Sequence, residues 1–591
     1  MRGPADIGNG IVCASFTADG SWLSVGAADQ GIGFVELSGL APFDEAERGH
    51  VAAVREYRNR MTDRQSAFLI VDGADPFERA AVPGTRTVEQ RYTIAPDERT
   101  ATVDIEFRGR VDRPAYAEVT DVSPLPPLET EPSLTVAGGR LLVGTGRPGM
   151  GAVVQVTPPA AAETVWTLTE ATRATMTFPV VSGDRAGART FEVSCTLGAD
   201  PVRRSHVHRG ATPVTRATAI PPTSSWLSLP APWRDDIARI AHGAVRYTLD
   251  CTALDVGPEE TAILTDHRLL PLSWTRDAYY QAQAVLARSG RGASPAVTRI
   301  GNHLRWLWVR CDRPDGLWQR SYQANGAVKD WALQADQQLY PVLELLDHRA
   351  ASSDWPRGVD DWGGRVRSLW SALPRDDETG LLTSHENPAD DDARALPILL
   401  SAQVLYWHTA NRLCEHAGAL GLDDLDLGSI AAEIRARVLE RFAVDGPFGR
   451  QWSSAIDDDA GYRLDHDAND LPVALAPSYG FVAPDDPVWN ATMRFAFSPD
   501  NPAYVAGSMG GLGSPHTPGV WPLGDIQEWV WASWSGDRER VDAVLGRLCA
   551  VANADGFLPE TYDPESGAWW SRQWFAWPSS TVAALVYGAY G

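Results

Sequence analysis

The sequence predicts two domains of different class, a β-sandwich over residues 1–225 and an all-α toroid over residues 226–591. Three observations carry this. The leading part breaks into short runs rich in Val, Thr, Ile and Phe, punctuated by Gly, Pro, Asp and Asn. The remainder places apolar residues at three-four spacing. Between them, IPPTSSWLSLPAPWRDD concentrates Ser and Pro, the composition of a linker or exposed crossing. A chain of 591 residues also carries more than one domain as its prior.

The strand runs come in order as IVCASFTADGSWLSVGA, RTVEQRYTIAP, TATVDIEFRGRV, GRLLVGTG, AVVQVTP and TFEVSCTL, a rhythm that suits two packed sheets. The proline-rich stretch from Pro114 to Pro132 reads as a connecting loop. After the linker, Asp235 or Asp236 is placed to cap the first helix, DDIARIAHGAVRYTL. Further helical runs follow at ASPAVTRIGNHLRWLWVRC, LQADQQLYPVLELLDHRA, ARALPILLSAQVLYWHTANRLCEHAG, SIAAEIRARVLERF, DRERVDAVLGRLCAVAN and STVAALVYGAYG. Long loops rich in Gly, Pro, Asp and Trp separate them. Paired helices with such loops suggest an α/α toroid whose loops at one end line a pocket. A helical repeat scaffold is the alternative, but no fixed-period self-similarity is present.

Composition narrows the function. A formal net charge of −24 repels nucleic acid and anionic membrane surfaces, so neither is expected as a partner. The single lysine, Lys329, lies in NGAVKDW, which reads as a loop, so lysine chemistry would rest on that residue alone. The six cysteines are scattered without a CxxC, which fits reduced core thiols and a cytoplasmic location. No apolar run reaches membrane-spanning length, and MRGPADIGNGIVCASF lacks the basic-then-apolar form of an export signal. Twenty-three Trp exceed the needs of a core, because each buried indole N–H needs a partner; they suggest a lined cavity as well.

Five segments carry candidate chemistry. In LPLSWTRDAYY, Trp274, Arg276 and Asp277 precede a helix; the Arg–Asp neighbours are either a helix-start salt bridge or a donor–acceptor set for vicinal hydroxyls. In SHENPADDDARALP, Glu386, Asp390, Asp391 and Asp392 crowd ahead of a helix, more acids than a cap needs, and crowding raises carboxyl pKa values. In YRLDHDANDLP, His466 between Asp465 and Asp467 hints at a metal, but without HExxH or a second His a polar binding loop is the better reading. The glycines of NPAYVAGSMGGLGSPHTPGVWP follow no clear strand and lack GKS or GKT, so they are read as letting backbone approach a ligand. No GxSxG elbow is present. Last, GFLPETYDPESGAWWSRQWFAWP sets Glu560 ahead of Trp569, Trp570, Arg572, Trp574 and Trp577. Aromatic planes beside a carboxylate and a guanidinium suit the apolar faces and the hydroxyls of a pyranose. An aromatic patch of the core would look the same.

Residues 271–580 resemble glycoside hydrolase family 125, the metal-independent exo-α-mannosidases. The motifs are SWTRDA (273–278), NPADDDA (387–393), HDANDLPVALAPSYG (466–480), NATMRFAFSPDNPAYVAGSMGGLGSPHTPGVWP (490–522), PET (559–561) and RQWFAW (572–577), in the family's order and spacing. The resemblance implies an (α/α)6 barrel, an inverting mechanism, no metal and no cofactor, and a small carbohydrate substrate. It implies Glu560 as general base and Asp390 as general acid, with Asp391 as the alternative acid. Trehalases and family 63 glucosidases share the acid spacing seen from Glu386 to Asp390. Trp274, Arg276, Asp277, Glu386, Asp391, Asp467, Asn469, His516, Arg572, Trp574 and Trp577 are implied as the substrate-binding set. Two departures bear on the sugar: Glu386-Asn387 replaces the family's Phe-Arg, and PET replaces HES. The leading domain resembles that of bacterial glucoamylases, and QADQQLYPVLELL resembles a helix of their barrel.

The combined expectation is an exo-acting, inverting α-glycosidase, foremost an α-mannosidase. An α-glucosidase acting on glucosylglycerate or trehalose, a sugar phosphorylase and a carbohydrate-binding protein without catalysis are the alternatives. For the leading domain, a loop donated to the pocket, closure of the pocket and a homodimer contact stay open.

Overall fold

The computed structural model describes residues 224–591, apart from 258, 268–271, 293, 325, 387, 389–395, 458–460, 554, 555, 573, 574 and 591, together with the backbone of the strands before residue 224. It divides into two compact units. One comprises Met1–Thr215, Arg246–Pro271 and Gln323–Asn325; the other comprises Arg216–Val245, Leu272–Tyr322 and Gly326–Gly591.

In the first unit the strands between Ala5 and Leu197 form a five-stranded, an eight-stranded and a three-stranded sheet, with antiparallel pairing throughout. The eight-stranded sheet runs from Ser133–Ala137 at one edge to Val54–Met61 at the other. The stretch from Pro114 to Pro132, expected as a loop, contains two strands, Ala115–Val119 and Asp121–Leu125. The second is the edge strand of its sheet, where Pro124 can sit without breaking an interior ladder.

The second unit is a double ring of helices. Six helical segments touch one another in a closed cycle: Thr275–Ser289, Tyr340–Ser352, Leu400–Leu420, the short turn Leu471–Ala474, Pro522–Ser535 and Ala576–Val586, which returns to Thr275–Ser289. Between consecutive members run Pro295–Arg305, Trp362–Ala372, Leu427–Arg441, Pro487–Ala496 and Arg538–Val551, and Arg234–Tyr247 precedes the first. This alternation of inner and outer helices is the toroid that the three-four spacing predicts.

Burial separates the two rings. The inner helix Pro522–Ser535 is buried without a break from Pro522 to Ala532, and Ala576–Val586 along its whole length. The outer helix Leu427–Arg441 buries only Leu427, Ala431, Ile434 and Val438, a single apolar stripe. Capping separates them too. Ser294, Asp361, Asp426, Asp486 and Asp537 each accept a backbone N–H at the start of an outer helix. The inner helices start without a side-chain cap, behind Trp274, Leu339, Leu399, Asp470, Trp521 and Phe575.

Several expected boundaries move. Asp235 and Asp236 lie in the first turn of Arg234–Tyr247 rather than ahead of it, where they still oppose the helix dipole. LQADQQLYPVLELLDHRA is helical only from Tyr340; its first half is extended and then a single tight turn, Asp336–Gln338. Lys329 lies not in a loop but in strand Val328–Asp330, paired with Ser321–Tyr322 after an Asn-Gly turn signal, and its Nζ is 3.0 Å from Asp330 Oδ1. Most of the excess Trp proves to be core: Trp306, Trp308, Trp318, Trp452, Trp489, Trp521, Trp529 and Trp577 are almost wholly buried. Carbonyl partners meet several indole N–H groups, as in Trp489 to Val473 at 2.9 Å and Trp529 to Ser228 at 2.8 Å.

Candidate active site

Each inner helix is entered through a segment that carries a site residue. Trp274 is the residue before Thr275–Ser289, and Arg276 and Asp277 lie inside its first turn rather than before it. The helix begins earlier than expected because the residue that ends the extended backbone is an indole, not a Ser or Asp cap. The Arg276 guanidinium donates through Nη1 to Asp336 Oδ2 at 2.9 Å and to Gln334 Oε1 at 3.2 Å, and its Nε is 3.7 Å from Asp277 Oδ1. It lies 4.9 Å over the Trp577 ring, which stacks on Tyr280 at 5.6 Å. Burial opposes the charge, but Asp336 and Asp277 outweigh it and hold the Arg276 pKa above its ordinary value.

Gln334 continues the wall. Its Nε2 donates to Glu386 Oε2 at 3.3 Å, and Glu386 Oε1 accepts from Arg320 Nη1 at 2.6 Å. Gln337 Nε2 donates to Gln334 Oε1 at 2.9 Å, while its own Oε1 accepts from Thr275 N at 2.9 Å. The start of the first inner helix is thereby tied to the segment that leads into the second.

Glu560 stands 2% exposed on a hairpin, Thr561–Tyr562 paired with Trp569–Ser571. Its Oε1 accepts from Arg572 Nη1 at 3.1 Å and its Oε2 from Ser571 Oγ at 2.9 Å. Arg572 itself adopts a φ of +40°, in the left-handed region that a side chain rarely visits. That backbone sets the guanidinium 4.6 Å over Phe575 and 5.8 Å over Trp274, so that one cation joins the Glu560 hairpin to the first inner helix.

Asp467 and Asn469 lie ahead of Leu471–Ala474. Asp467 Oδ1 accepts from Asn469 N and Nδ2, each at 2.7 Å, and Asn469 Nδ2 donates to Ser514 Oγ at 3.3 Å. His516 N donates to the same hydroxyl at 3.2 Å, and the His516 ring is 6.3 Å from Trp521, which meets Phe575 edge-on at 6.2 Å. Burial first, and Asp470 next, push the Asp467 carboxyl up to about 8. His466 is not turned to a ligand: its Nε2 is 2.7 Å from Gln527 Oε1, and Gln527 in turn donates to Asp467 O at 3.2 Å.

Trp274, Arg276, Asp277, Glu386, Asp467, Asn469, His516, Glu560, Arg572 and Trp577 therefore stand at the entrances to the inner helices. Direct contacts join Trp274, Arg572 and Glu560; others join Arg276, Gln334 and Glu386, and others again run from Trp577 through Phe575 and Trp521 to His516. Asp390, Asp391 and Trp574 lie outside the described residues. At least two glycines of the SMGGLGSPHTPG loop are required by packing within the protein. A Cβ on Gly513 would meet Gly519 O at 2.6 Å, and one on Gly519, at φ +109°, would meet Tyr562 O at 3.0 Å, so the loop uses that room to pack on its own backbone and on the Glu560 hairpin. Sequence reasoning missed Arg320, Gln334, Asp336 and Ser571. A run of three glutamines, Gln334, Gln337 and Gln338, inside an otherwise apolar helical pattern was the available signal; all three are buried.

Residues 371–587 match the sequence model of the family described as metal-independent alpha-mannosidase (GH125). The resemblance to glycoside hydrolase family 125 holds. By sequence, this region is that of a glycoside hydrolase. A curated relative, the meiotically up-regulated gene 157 protein of Schizosaccharomyces pombe, is 29% identical over 221 residues, which cover 36% of this chain and 43% of that protein. The match thus spans less than half the length of that relative. Among solved structures, the Streptococcus pneumoniae metal-independent alpha mannosidase, in a non-productive complex with alpha-1,6-mannobiose, is similar with a TM-score of 0.53 and 19% identity, over 60% of this chain and 94% of that one. A bacterial glucoamylase complexed with acarbose is similar with a TM-score of 0.66 and 11% identity, over 99% of this chain and 93% of that one. At these identities both likenesses concern the fold.

Proposed function

We propose that the protein is an exo-acting, inverting, metal-independent α-mannosidase. The observation that carries the proposal is Glu560, a buried carboxylate held by Arg572 and Ser571 beside Trp274 and Phe575, within the region that matches family 125. Asp390 gives its proton to the glycosidic oxygen, and Asp391 is the alternative donor. Glu560 takes a proton from the attacking water on the opposite face, while charge develops on the sugar as an oxocarbenium ion. Among the described residues each Glu560 oxygen has one donor, which fixes the carboxylate and leaves lone pairs for that water. An inverting pair needs its carboxyls about 6.5–9.5 Å apart, and a gap of about 5 Å would mean retention. Arg276 with Asp277, Asp467 with Asn469, and His516 supply donors and acceptors for the hydroxyls of the terminal sugar; Trp274, Trp574 and Trp577 supply its walls.

Proton NMR of the anomeric signal during hydrolysis tests substrate and stereochemistry together. Release of β-mannose from an α-mannoside is the expected result. Release of α-mannose would remove the inverting assignment, and no release from any α-mannoside or α-glucoside would remove the hydrolase. A second reading, the same machinery on an α-glucoside, is favoured by Glu386, which stands on the wall in a charge pair with Arg320 where the family has an apolar Phe.

We also read the leading strands as a β-sandwich domain over residues 1–225, with the catalytic barrel over 226–591. Among the described residues Cys251, Cys311, Cys414 and Cys549 are not joined in disulfides, which supports a cytoplasmic location, and no helix is long and apolar enough to cross a membrane.

A further inference from the structure

The hairpin of Thr561–Tyr562 and Trp569–Ser571 carries Glu560 together with both of its donors, Ser571 and the adjoining Arg572. Bonds inside that piece fix the carboxylate relative to the hairpin, but they do not fix the hairpin relative to the barrel. That depends on what fastens it to the helices. On the far strand, the Trp569 indole N–H donates to Val551 O at 2.6 Å. On the near strand, two residues after Glu560, Tyr562 is fastened twice. Its N donates to Val520 O at 2.9 Å, and its O accepts from Val520 N at 3.0 Å. Its side chain is fully buried, and the hydroxyl donates to Asp525 Oδ2 at 2.7 Å.

Asp525 is itself held from its other side. It is fully buried in the first turn of the inner helix Pro522–Ser535, and its Oδ1 accepts from Arg547 Nε at 2.8 Å. Arg547 belongs to the outer helix Arg538–Val551. It also binds Glu528, one turn along from Asp525, and the other Glu528 oxygen accepts from Arg540 at 2.5 Å. Apolar side chains would join these two helices at least as firmly, since a buried ion pair repays little more than its own desolvation. What the carboxylate adds is direction, because a hydrogen bond fixes an angle as well as a distance. One Asp525 oxygen is taken by Arg547, and the other is held in place for the hydroxyl of Tyr562.

From this arrangement we propose that Asp525 and Tyr562 are positioning residues for the general base: the bond between them sets where the Glu560 carboxylate stands in the barrel, and so it governs kcat rather than KM. The proposal rests on the reading of Glu560 as base given above. Both residues are buried, so they act through the hairpin and not by touching the sugar. A general base must meet a water already aligned on C1, and a misplacement of about 1 Å can cost about a hundredfold in rate. Without the Tyr562 hydroxyl the near strand can shift, and Ser571 and Arg572 shift with it. The carboxylate then keeps its own hydrogen bonds but stands off its mark.

The test uses the full chain and two kinds of substrate, an α-linked disaccharide and the matching α-glycosyl fluoride, each in mannose and glucose versions. Tyr562→Phe keeps the ring and removes only the bond to Asp525. It is expected to lower kcat about ten- to hundredfold on both substrates, with KM within about threefold of the native value. Azide attacks C1 without a base while fluoride leaves with the bonding pair. It should therefore restore turnover of the fluoride by this variant, as the glycosyl azide of inverted configuration. In the Glu560→Gln background the same substitution should cost no more than about twofold, because the group it positions is already gone. Asp525→Asn keeps the shape of the side chain, should respond to azide in the same way, and carries the test if Tyr562→Phe does not fold. A kcat within about twofold of native in the folded variants, a loss that azide does not restore, or an equal loss in the Glu560→Gln background would overturn the proposal. With Glu560→Gln inactive, each of those results would leave the reading of Glu560 as base intact. Near-native turnover by Glu560→Gln alone, or failure of the unmodified enzyme on every substrate, would overturn both.

Discussion

Replacement of Glu560 by Gln tests the chemistry with little change of shape. In the native site Oε1 accepts from Arg572 Nη1 at 3.1 Å and Oε2 from Ser571 Oγ at 2.9 Å, with Thr561 Oγ1 a further 2.8 Å from that hydroxyl. A Gln amide keeps the Arg572 contact through its oxygen. Its NH2 group donates to Ser571, whose hydroxyl turns toward Thr561. The hydrogen bonds survive and the negative charge is lost. Removing one partner from a fully buried ion pair costs about 3–5 kcal/mol. Here Arg572 keeps Phe575 and Trp274 beneath its guanidinium and part of its contact with solvent, so a stability loss of about 1–3 kcal/mol is expected, measured by urea unfolding. The loss of the base is expected to lower kcat by about 10²–10⁴, equivalent to about 2.7–5.4 kcal/mol of barrier. The assay pairs the α-glycosyl fluoride with the disaccharide. Because fluoride leaves without a proton, Asp390→Asn should spare the fluoride, whereas Glu560→Gln should slow both substrates. Azide, which attacks without a base, should restore turnover to Glu560→Gln as the glycosyl azide of inverted configuration. A kcat within about threefold of the native value, or a loss confined to the disaccharide, would refute the assignment of Glu560 as base.

Asp467→Asn should change how stability depends on pH. With its folded pKa raised to about 8 against an unfolded value near 3.9, the contribution of Asp467 is fully present below about pH 4 and is lost by about pH 8, at up to roughly 1.4 kcal/mol per pH unit. Asn stays neutral, so the variant should gain on the native protein across that window and then run level; urea midpoints that stay parallel at about pH 5, 7 and 9 would contradict this. Arg276→Lys loses the fork that holds Asp336 and Gln334 and the planar contact with Trp577, and should lower stability by about 1–3 kcal/mol and kcat/KM by about tenfold or more, read by thermal melts and steady-state kinetics. Asp426→Ala removes the cap whose carboxylate accepts from Ser429 N at 3.3 Å, and should cost about 1 kcal/mol in urea unfolding with kcat and KM unchanged, since that cap belongs to an outer helix.

The helices were legible wherever one face meets solvent. The spacing of Leu427, Ala431, Ile434 and Val438 announces its helix because Ser429, Glu433, Arg435, Arg437 and Glu440 mark the opposite face. What could not be read is how the inner helices begin. Trp274 gives no capping signal, so Arg276 and Asp277 were expected one element too early. LQADQQ has the composition of a helix, but Gln334, Asp336 and Gln337 gain more from Arg276, Glu386 and Thr275 than from a further helical turn, and tertiary hydrogen bonds override propensity there. The Glu560–Arg572 contact was within reach of the sequence because one short hairpin joins the two residues. The Arg320–Glu386 contact was not, because its members meet only after the ring of helices has closed.

The two rings anchor their helix starts by different means, and this divides the labour of change between them. On the outer girdle a Ser or Asp fastens each of five helices locally, by a bond that needs nothing from the cavity. On the inner mouth, indole, phenyl and leucine side chains stand at five of the six positions where such fasteners would be, and the first of those starts is held instead by Gln337 Oε1, from the segment that leads into the next inner helix. Under the proposed function, exchanges at the mouth would retune which saccharide is accepted while the girdle keeps its shape. The barrel works as a chassis on which specificity drifts with little penalty to the frame.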